Sequence, residues 1–304
     1  MQRLILGTRG SALALAQVVL TRAALAKVWP DLVVEERIFV TRGDKKLDLS
    51  LLRAGEAGGK GLFTRELEDA LLAGTIDVAV HSLKDLPGQN PPGLALTAVL
   101  ERASTADVLI TKGAATLEDL PKGARIGTSS VRRSRQLQWL RPDLQIEEWR
   151  GNVPTRLRKL AERDDVAGIV LAQAGLDRLG CDFSDGKFTV ISLHEQLLPA
   201  IGQGAIALQT RADRAEVNAF LAAINHLPTF TCIRAEREVQ RLLAGDCSLP
   251  VGVRTRLDGD TIEVRAILFG KENNAPAEAT FTGSASDPEL VAREVFARLV
   301  SPPN

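Results

Sequence analysis

The sequence predicts an α/β fold in two similar halves, followed by a smaller α+β unit. Three observations carry this expectation. Short apolar runs rich in Val, Ile and Leu alternate with helical patterns as far as Leu171. The alternation restarts after Arg102, as if one arrangement were built twice. From about Val251 it gives way to neighbouring strands and one closing helix.

The elements follow in order. The run at 4–7 reads as a strand, and 11–29 as a helix with Ser11 at its N-cap, where a hydroxyl can accept from a first-turn N–H. A strand is expected at 33–39 and a helix at 62–73. Between them, 41–61 carries Gly43, Gly55, Gly58, Gly59 and Gly61 among charges and is longer than an ordinary connection, so it reads as a mobile functional loop. Strands at 78–81 and 95–100 complete the first half. The second half has strands at 108–110, 125–127, 145–149 and 169–171, with helices near 130–140 and 154–162. An Arg- and Glu-rich helical stretch then leads to a turn, Ala244-Gly245-Asp246-Cys247-Ser248-Leu249-Pro250-Val251-Gly252. Strands at 251–257, 261–269 and 277–282 and a helix at 288–300 form the last unit. A thiol held at a Gly/Pro-punctuated turn is presented to its surroundings, which makes Cys247 a candidate for covalent chemistry; a small structural cysteine is the plainer alternative.

Composition narrows the function classes. Lys plus Arg and Asp plus Glu balance at 38 each over 304 residues, so no global field draws the chain to nucleic acid or to an anionic membrane. The first residues run into a strand without the apolar core of a signal peptide, and no stretch approaches membrane-spanning length, which predicts a cytoplasmic protein. Cys181, Cys232 and Cys247 are odd in number and far apart, and His81, His194 and His226 are scattered, so neither a disulfide framework nor a metal site is expected.

Chemistry concentrates where strands run into helices. Arg9-Gly10-Ser11, Gly127-Thr128-Ser129-Ser130-Val131-Arg132-Arg133 and Arg150-Gly151-Asn152 lie at three such junctions. In open α/β sheets, ligands bind beyond the carboxyl ends of strands, where helix N-termini also point their N–H groups. Arg132 and Arg133 in a first helical turn oppose the macrodipole, a penalty that makes sense if an anion occupies the site. Carboxylates suit the guanidinium fork. At a fourth junction, His81-Ser82-Leu83-Lys84-Asp85-Leu86-Pro87, Asp85 is placed either to stabilise a cationic intermediate and shuttle protons or simply to cap a turn before Pro87.

Other motifs fail. Gly58-Gly59-Lys60-Gly61 lacks the first glycine and the Ser/Thr of a phosphate loop, and Gly202-Gln203-Gly204 lacks the βαβ context of a dinucleotide site.

Together with Thr8-Arg9-Gly10-Ser11-Ala12-Leu13-Ala14-Leu15, Thr41-Arg42-Gly43-Asp44, Gly58-Gly59-Lys60-Gly61-Leu62-Phe63, Leu198-Pro199-Ala200-Ile201-Gly202-Gln203-Gly204-Ala205 and the Cys247 turn, these junctions resemble the porphobilinogen deaminase (hydroxymethylbilane synthase) family, in order and over nearly the whole chain. The resemblance implies two periplasmic-binding-protein-like, doubly wound α/β domains facing each other across a cleft, 1–101 with 203–225 and 102–202, and an α+β domain, 226–304, carrying the cysteine. It implies a hinge at the two crossings and a lid at 42–61. It also implies a transferase of tetrapyrrole biosynthesis that condenses four porphobilinogen molecules, releasing ammonia, into hydroxymethylbilane on a dipyrromethane cofactor held through Cys247. By the same resemblance Asp85 is catalytic; Lys84, Asp85, Ser129, Arg132 and Arg133 bind the cofactor; Arg9, Ser11, Arg150, Arg156 and Gln203 bind substrate. A monomer acting on a small molecule, without nucleic acid or membrane, is expected; a non-catalytic bilobal carboxylate-binding protein is the alternative. Asp246 and Gln209 depart from the family, which usually has glycine and glutamate there.

Overall fold

The computed structural model describes residues 3–40, 64–243, 250–270 and 275–301. The loop at 42–61 and the Cys247 turn, with Asp246, lie outside the described residues.

The chain opens with β1 (Arg3–Arg9), α1 (Ala12–Val28) and β2 (Val33–Phe39), and resumes with α2 (Arg65–Leu72), β3 (Val78–Ser82), a single 3-10 turn at Leu83–Asp85 and β4 (Leu94–Val99). It then crosses to β5 (Asp107–Thr111), β6 (Arg125–Gly127), α3 (Val131–Leu140), β7 (Gln145–Glu147), α4 (Val153–Glu162), β8 (Gly168–Ala172), α5 (Gln173–Arg178) and β9 (Thr189–Ser192). It returns through β10 (Ile206–Arg211) and α6 (Ala215–Ala222) to α7 (Leu227–Leu242), and ends with β11 (Val251–Asp258), β12 (Thr261–Leu268), β13 (Ala277–Ser284) and α8 (Pro288–Val300).

Two five-stranded sheets result, in the orders β2-β1-β3-β10-β4 and β7-β6-β8-β5-β9. Each is mixed for the same reason. A strand arriving from a crossing is inserted antiparallel: β10 between β3 and β4, and β5 between β8 and β9. The remaining neighbours, β1 with β2 and β3 and β6 with β7 and β8, are parallel, so their carboxyl ends and the helix N-termini that follow gather at one edge of each sheet. Leu4, Leu6, Val78, Val80 and Leu208 form the core under the first sheet, and Leu109, Ile126, Leu137 and Val170 one of the two that flank the second. The third sheet is an antiparallel meander, β11-β12-β13, whose Val253, Val264 and Ala266 pack on Val239 of α7 and Val291 and Val295 of α8.

The two crossings touch. Ala103 N–H donates to Gly204 O at 3.2 Å, and a Cβ on Gly204 would stand 2.4 Å from Ala103 O, so only glycine, at φ +86°, fits this approach. Glu236 of α7, fully buried, accepts from both terminal nitrogens of Arg102, from Gly202 N–H and from the Thr255 hydroxyl, which fastens the third unit to both crossings.

Candidate active site

The facing edges of the two large sheets enclose a cleft of about 670 Å³. From the first sheet come Arg9 at the end of β1, Ser11 at the N-cap of α1, and Lys84 and Asp85 on the 3-10 turn after β3. Leu83, buried at the start of that turn, anchors it while its two polar successors face the opening. From the second sheet come Ser129 and Arg133 around the start of α3, Arg150 before α4, and Arg156 within α4. Ser129 Oγ donates to Trp149 O at 2.6 Å, Arg150 pairs with Glu148 at 2.6 Å, and Arg156 Nε donates to Gly151 O at 2.7 Å. The structure thus brings together eight of the residues singled out by sequence.

Two others lie behind the wall. Arg132 donates to Asp107 Oδ2 at 2.7 Å and to Leu198 O at 2.6 Å, and Gln203 Nε2 donates to Thr105 O at 2.8 Å and to Asp107 Oδ1 at 2.9 Å. Neither is among the residues lining the cleft. Asp107 also receives Arg133 Nε at 2.9 Å. Burial pushes the Asp107 carboxyl up, but Arg132 and Arg133 outweigh it and hold the group well below the usual carboxylate range. The anion that answers two arginines in a first helical turn is therefore, in the first instance, part of the chain itself.

Sequence reasoning missed Asp107 and Arg178. Asp107 had one signal, a carboxylate opening the otherwise apolar run Val108-Leu109-Ile110. Arg178 lines the cleft from the end of α5 and donates to Gly204 O at 2.7 Å; in sequence it looks like an ordinary cation in a last helical turn.

The electrostatics favour an anionic guest. Burial, with the neighbouring charges of Arg133 and Arg150 acting in the same direction, lowers Arg156 to about 10. Burial likewise lowers Lys84 to about 8, with Arg133 adding to the shift and Asp85 and Asp107 opposing it. A bound carboxylate would relieve both. Behind Asp85, buried His81 is pushed down to about 4 and is neutral; its Nε2–H donates to Gln209 Oε1 at 3.2 Å. Gln209 thus gives a neutral histidine a neutral acceptor.

Residues 4–219 match the family model described as porphobilinogen deaminase, dipyromethane cofactor binding domain, and residues 230–301 match the one described as porphobilinogen deaminase, C-terminal domain. Among curated relatives, the porphobilinogen deaminase of Syntrophomonas wolfei is 43% identical over 99% of this chain and 96% of its own, and that of Chloroherpeton thalassium 46% identical over 85% and 80%. The periplasmic aliphatic sulphonate binding protein SsuA of Escherichia coli, 15% identical, superposes with a TM-score of 0.43 over 80% of this chain and 71% of its own. With both family models matched in order and relatives aligned nearly end to end, this chain belongs to the porphobilinogen deaminase family.

Proposed function

We propose that this protein condenses four porphobilinogen molecules head to tail, releasing one ammonia at each addition, and that water then cleaves the chain from its primer as the linear tetrapyrrole hydroxymethylbilane, supplying its hydroxyl. The observation that carries the reading is a cleft with cations on both walls and, among the described residues that line it, one carboxylate, Asp85, on the 3-10 turn of the first wall. Porphobilinogen bears an acetate and a propionate, and Arg9, Arg133, Arg150 and Arg156 hold these while Ser11, Ser129 and Lys84 assist. Asp85 accepts a hydrogen bond from the pyrrole N–H. As the aminomethyl C–N bond breaks, ammonia takes the bonding pair and the ring nitrogen supplies the electrons that replace it. The carboxylate stabilises the resulting methylene-pyrrolenine cation and later takes up the proton lost when the rings join. A non-catalytic carboxylate binder would need the arginines but not Asp85.

The cleft also fits a dipyrromethane. Its acetates and propionates match the donor set, and the mutual repulsion at Arg156 calls for anions. Lys84, Ser129, Arg133 and Asp85 would hold it, with Arg132 bracing the wall and Cys247 carrying the thioether. Cys247 precedes β11, whose Val253 N–H donates to Pro199 O beside the Leu198 carbonyl that Arg132 holds, which supports a tether near this wall. When bound, the dipyrromethane supplies a primer that stays on the enzyme. The protein works as a cytoplasmic monomer, with the two crossings as its hinge, without nucleic acid or membrane.

Intact mass tests the tether. The holoprotein should exceed its sequence mass by two linked pyrrole units, all on Cys247 in peptide maps, with Cys181 and Cys232, whose thiols burial pushes up, unmodified. An adduct on either of those residues, or a fully active Cys247→Ala, would refute it.

A further inference from the structure

We infer that Asp107 is a positioning residue for the carboxylate cleft: it fixes Arg133 in the wall, backs it with Arg132, and ties the pair to both chain crossings through Gln203. The inference rests on the condensation reaction proposed above, in which Arg133 is a carboxylate anchor.

Asp107 opens β5, the strand that receives the outgoing crossing, and its side chain is fully buried. Oδ2 accepts from Arg132 at 2.7 Å; Oδ1 accepts from Arg133 Nε at 2.9 Å and lies 2.7 Å from the second guanidinium nitrogen of Arg133. Arg133 donates its remaining nitrogen to Val170 O at 2.9 Å, so its guanidinium is held on all three sides by β5 and β8. A long flexible side chain is thereby fixed before any ligand arrives, and the entropy of ordering it is not charged against binding. Gln203, on the returning crossing, bonds Asp107 and Thr105 O together, so the same carboxylate connects both crossings to the arginine pair.

The charge matters as well as the geometry. Arg132 and Arg133 from α3, Asp107 from β5 and the adjoining Asp85 are the charges acting on Lys84. Removing the charge at Asp107 takes away one of the carboxylates that oppose the two arginines at Lys84, so Lys84 sheds its proton at lower pH. A residue that merely stabilised the fold would not move that limb of the pH profile.

The test compares full-length wild type, Asp107→Asn, Asp107→Glu and Gln203→Leu by product formation from porphobilinogen between pH 6 and 9.5, by affinity for citrate, an unreactive tricarboxylate, and by thermal unfolding. Asp107→Asn should raise KM and weaken citrate binding about tenfold or more, with a smaller change in kcat, and its alkaline limb should shift to lower pH. Asp107→Glu should return the limb towards wild type, because it restores the charge. Gln203→Leu keeps the ion pairs and should raise KM about two- to fivefold with the limb unmoved, which decides the matter if Asp107→Asn does not fold. Unchanged KM, citrate affinity and pH limb in Asp107→Asn, or an unchanged KM in Gln203→Leu when Asp107→Asn is insoluble, overturns the inference. Weakened citrate binding in Asp107→Asn from a wild type that makes no product would instead leave Asp107 in place and remove the proposed reaction.

Discussion

The two sheet-to-helix junctions that meet across the cleft are built alike and charged differently. At the first, Ser11 Oγ accepts from Ala14 N–H; at the second, Ser130 Oγ accepts from Arg133 N–H. Arg9 stands before its cap and outside the helix, and the first turn of α1 carries no charge. Arg132 and Arg133 stand after theirs, inside the turn whose dipole repels them by typically about 0.3–1 kcal/mol each. That difference explains why the second wall contains a buried carboxylate. Two cations placed after a cap, and then buried, require an internal counterion, and Asp107 supplies it.

The comparison also divides the labour of the site. The first wall holds the acid on its rigid turn, and the second holds most of the fixed positive charge. If so, Asp85→Asn should leave the fold intact and lower turnover by about 10²–10⁴-fold, the usual contribution of a positioned acid or base. A stopped assay with porphobilinogen checks this, and near-wild-type turnover would move the chemistry away from the first wall.

The arginines should separate by stability. Arg133→Gln strips a buried carboxylate of one of its two ion-pair partners and should cost about 3 kcal/mol, at the low end of what breaking a buried pair costs because Arg132 and Gln203 remain. Arg9→Gln should change stability by less than about 1 kcal/mol while still raising KM. Denaturant unfolding of both variants gives the answer; equal losses would mean that the two junctions are braced alike.

Much of this site was legible because it is local. A basic residue, a small polar cap and a strand end occupy consecutive positions, so Arg9, Ser11, Ser129, Arg133 and Arg150 could be assigned to one cleft from spacing and family resemblance. The α/β alternation and the closing α+β unit were legible for the same reason. Asp107 was not, since its partners lie 25 and 26 positions away and their meeting depends on β5 being inserted antiparallel beside β8. The placement of Arg132 and Gln203 behind the wall was hidden with it. Four elements that the periodicity did not single out, α5, β9, β10 and α6, follow or flank the crossings, where apolar pattern gives way to long-range pairing. Gln209 shows the same limit: its role is set by His81 on the neighbouring strand.

Lys84 sharpens the contrast through pH. Because burial lowers it to about 8, its charge is lost as pH rises through that value, and KM for porphobilinogen should climb on the alkaline side. Lys84→Arg keeps its proton and should remove that limb. The linked stability has the opposite sign. Between about 8 and the ordinary lysine value of 10.5 the unfolded chain holds a proton that the folded chain does not, so this group makes stability rise with pH across that window. A flat KM profile in wild type would show that the charge of Lys84 takes no part in binding the carboxylates and leave Arg9 as the first wall's contribution.

The smallest effect discriminates best between the two ways of fixing Arg133. Replacing either cap by alanine should cost about 1 kcal/mol, since each hydroxyl satisfies one first-turn N–H. Their effects on binding should differ. Ser11 lines the cleft, so Ser11→Ala removes a hydroxyl from the substrate side as well as from the helix. Ser130 is not among the lining residues; its side chain serves the backbone of Arg133, while the guanidinium is held by Asp107 and Val170. If the carboxylate is what positions Arg133, Ser130→Ala lowers stability but leaves KM within about twofold, because the contacts that fix the charged group survive the loss of the cap. If KM rises as far as in Asp107→Asn, the helix start itself aims the arginine and Asp107 serves only to neutralise it. Steady-state kinetics and denaturant unfolding on the two serine variants, measured side by side, decide which interaction the second wall depends on.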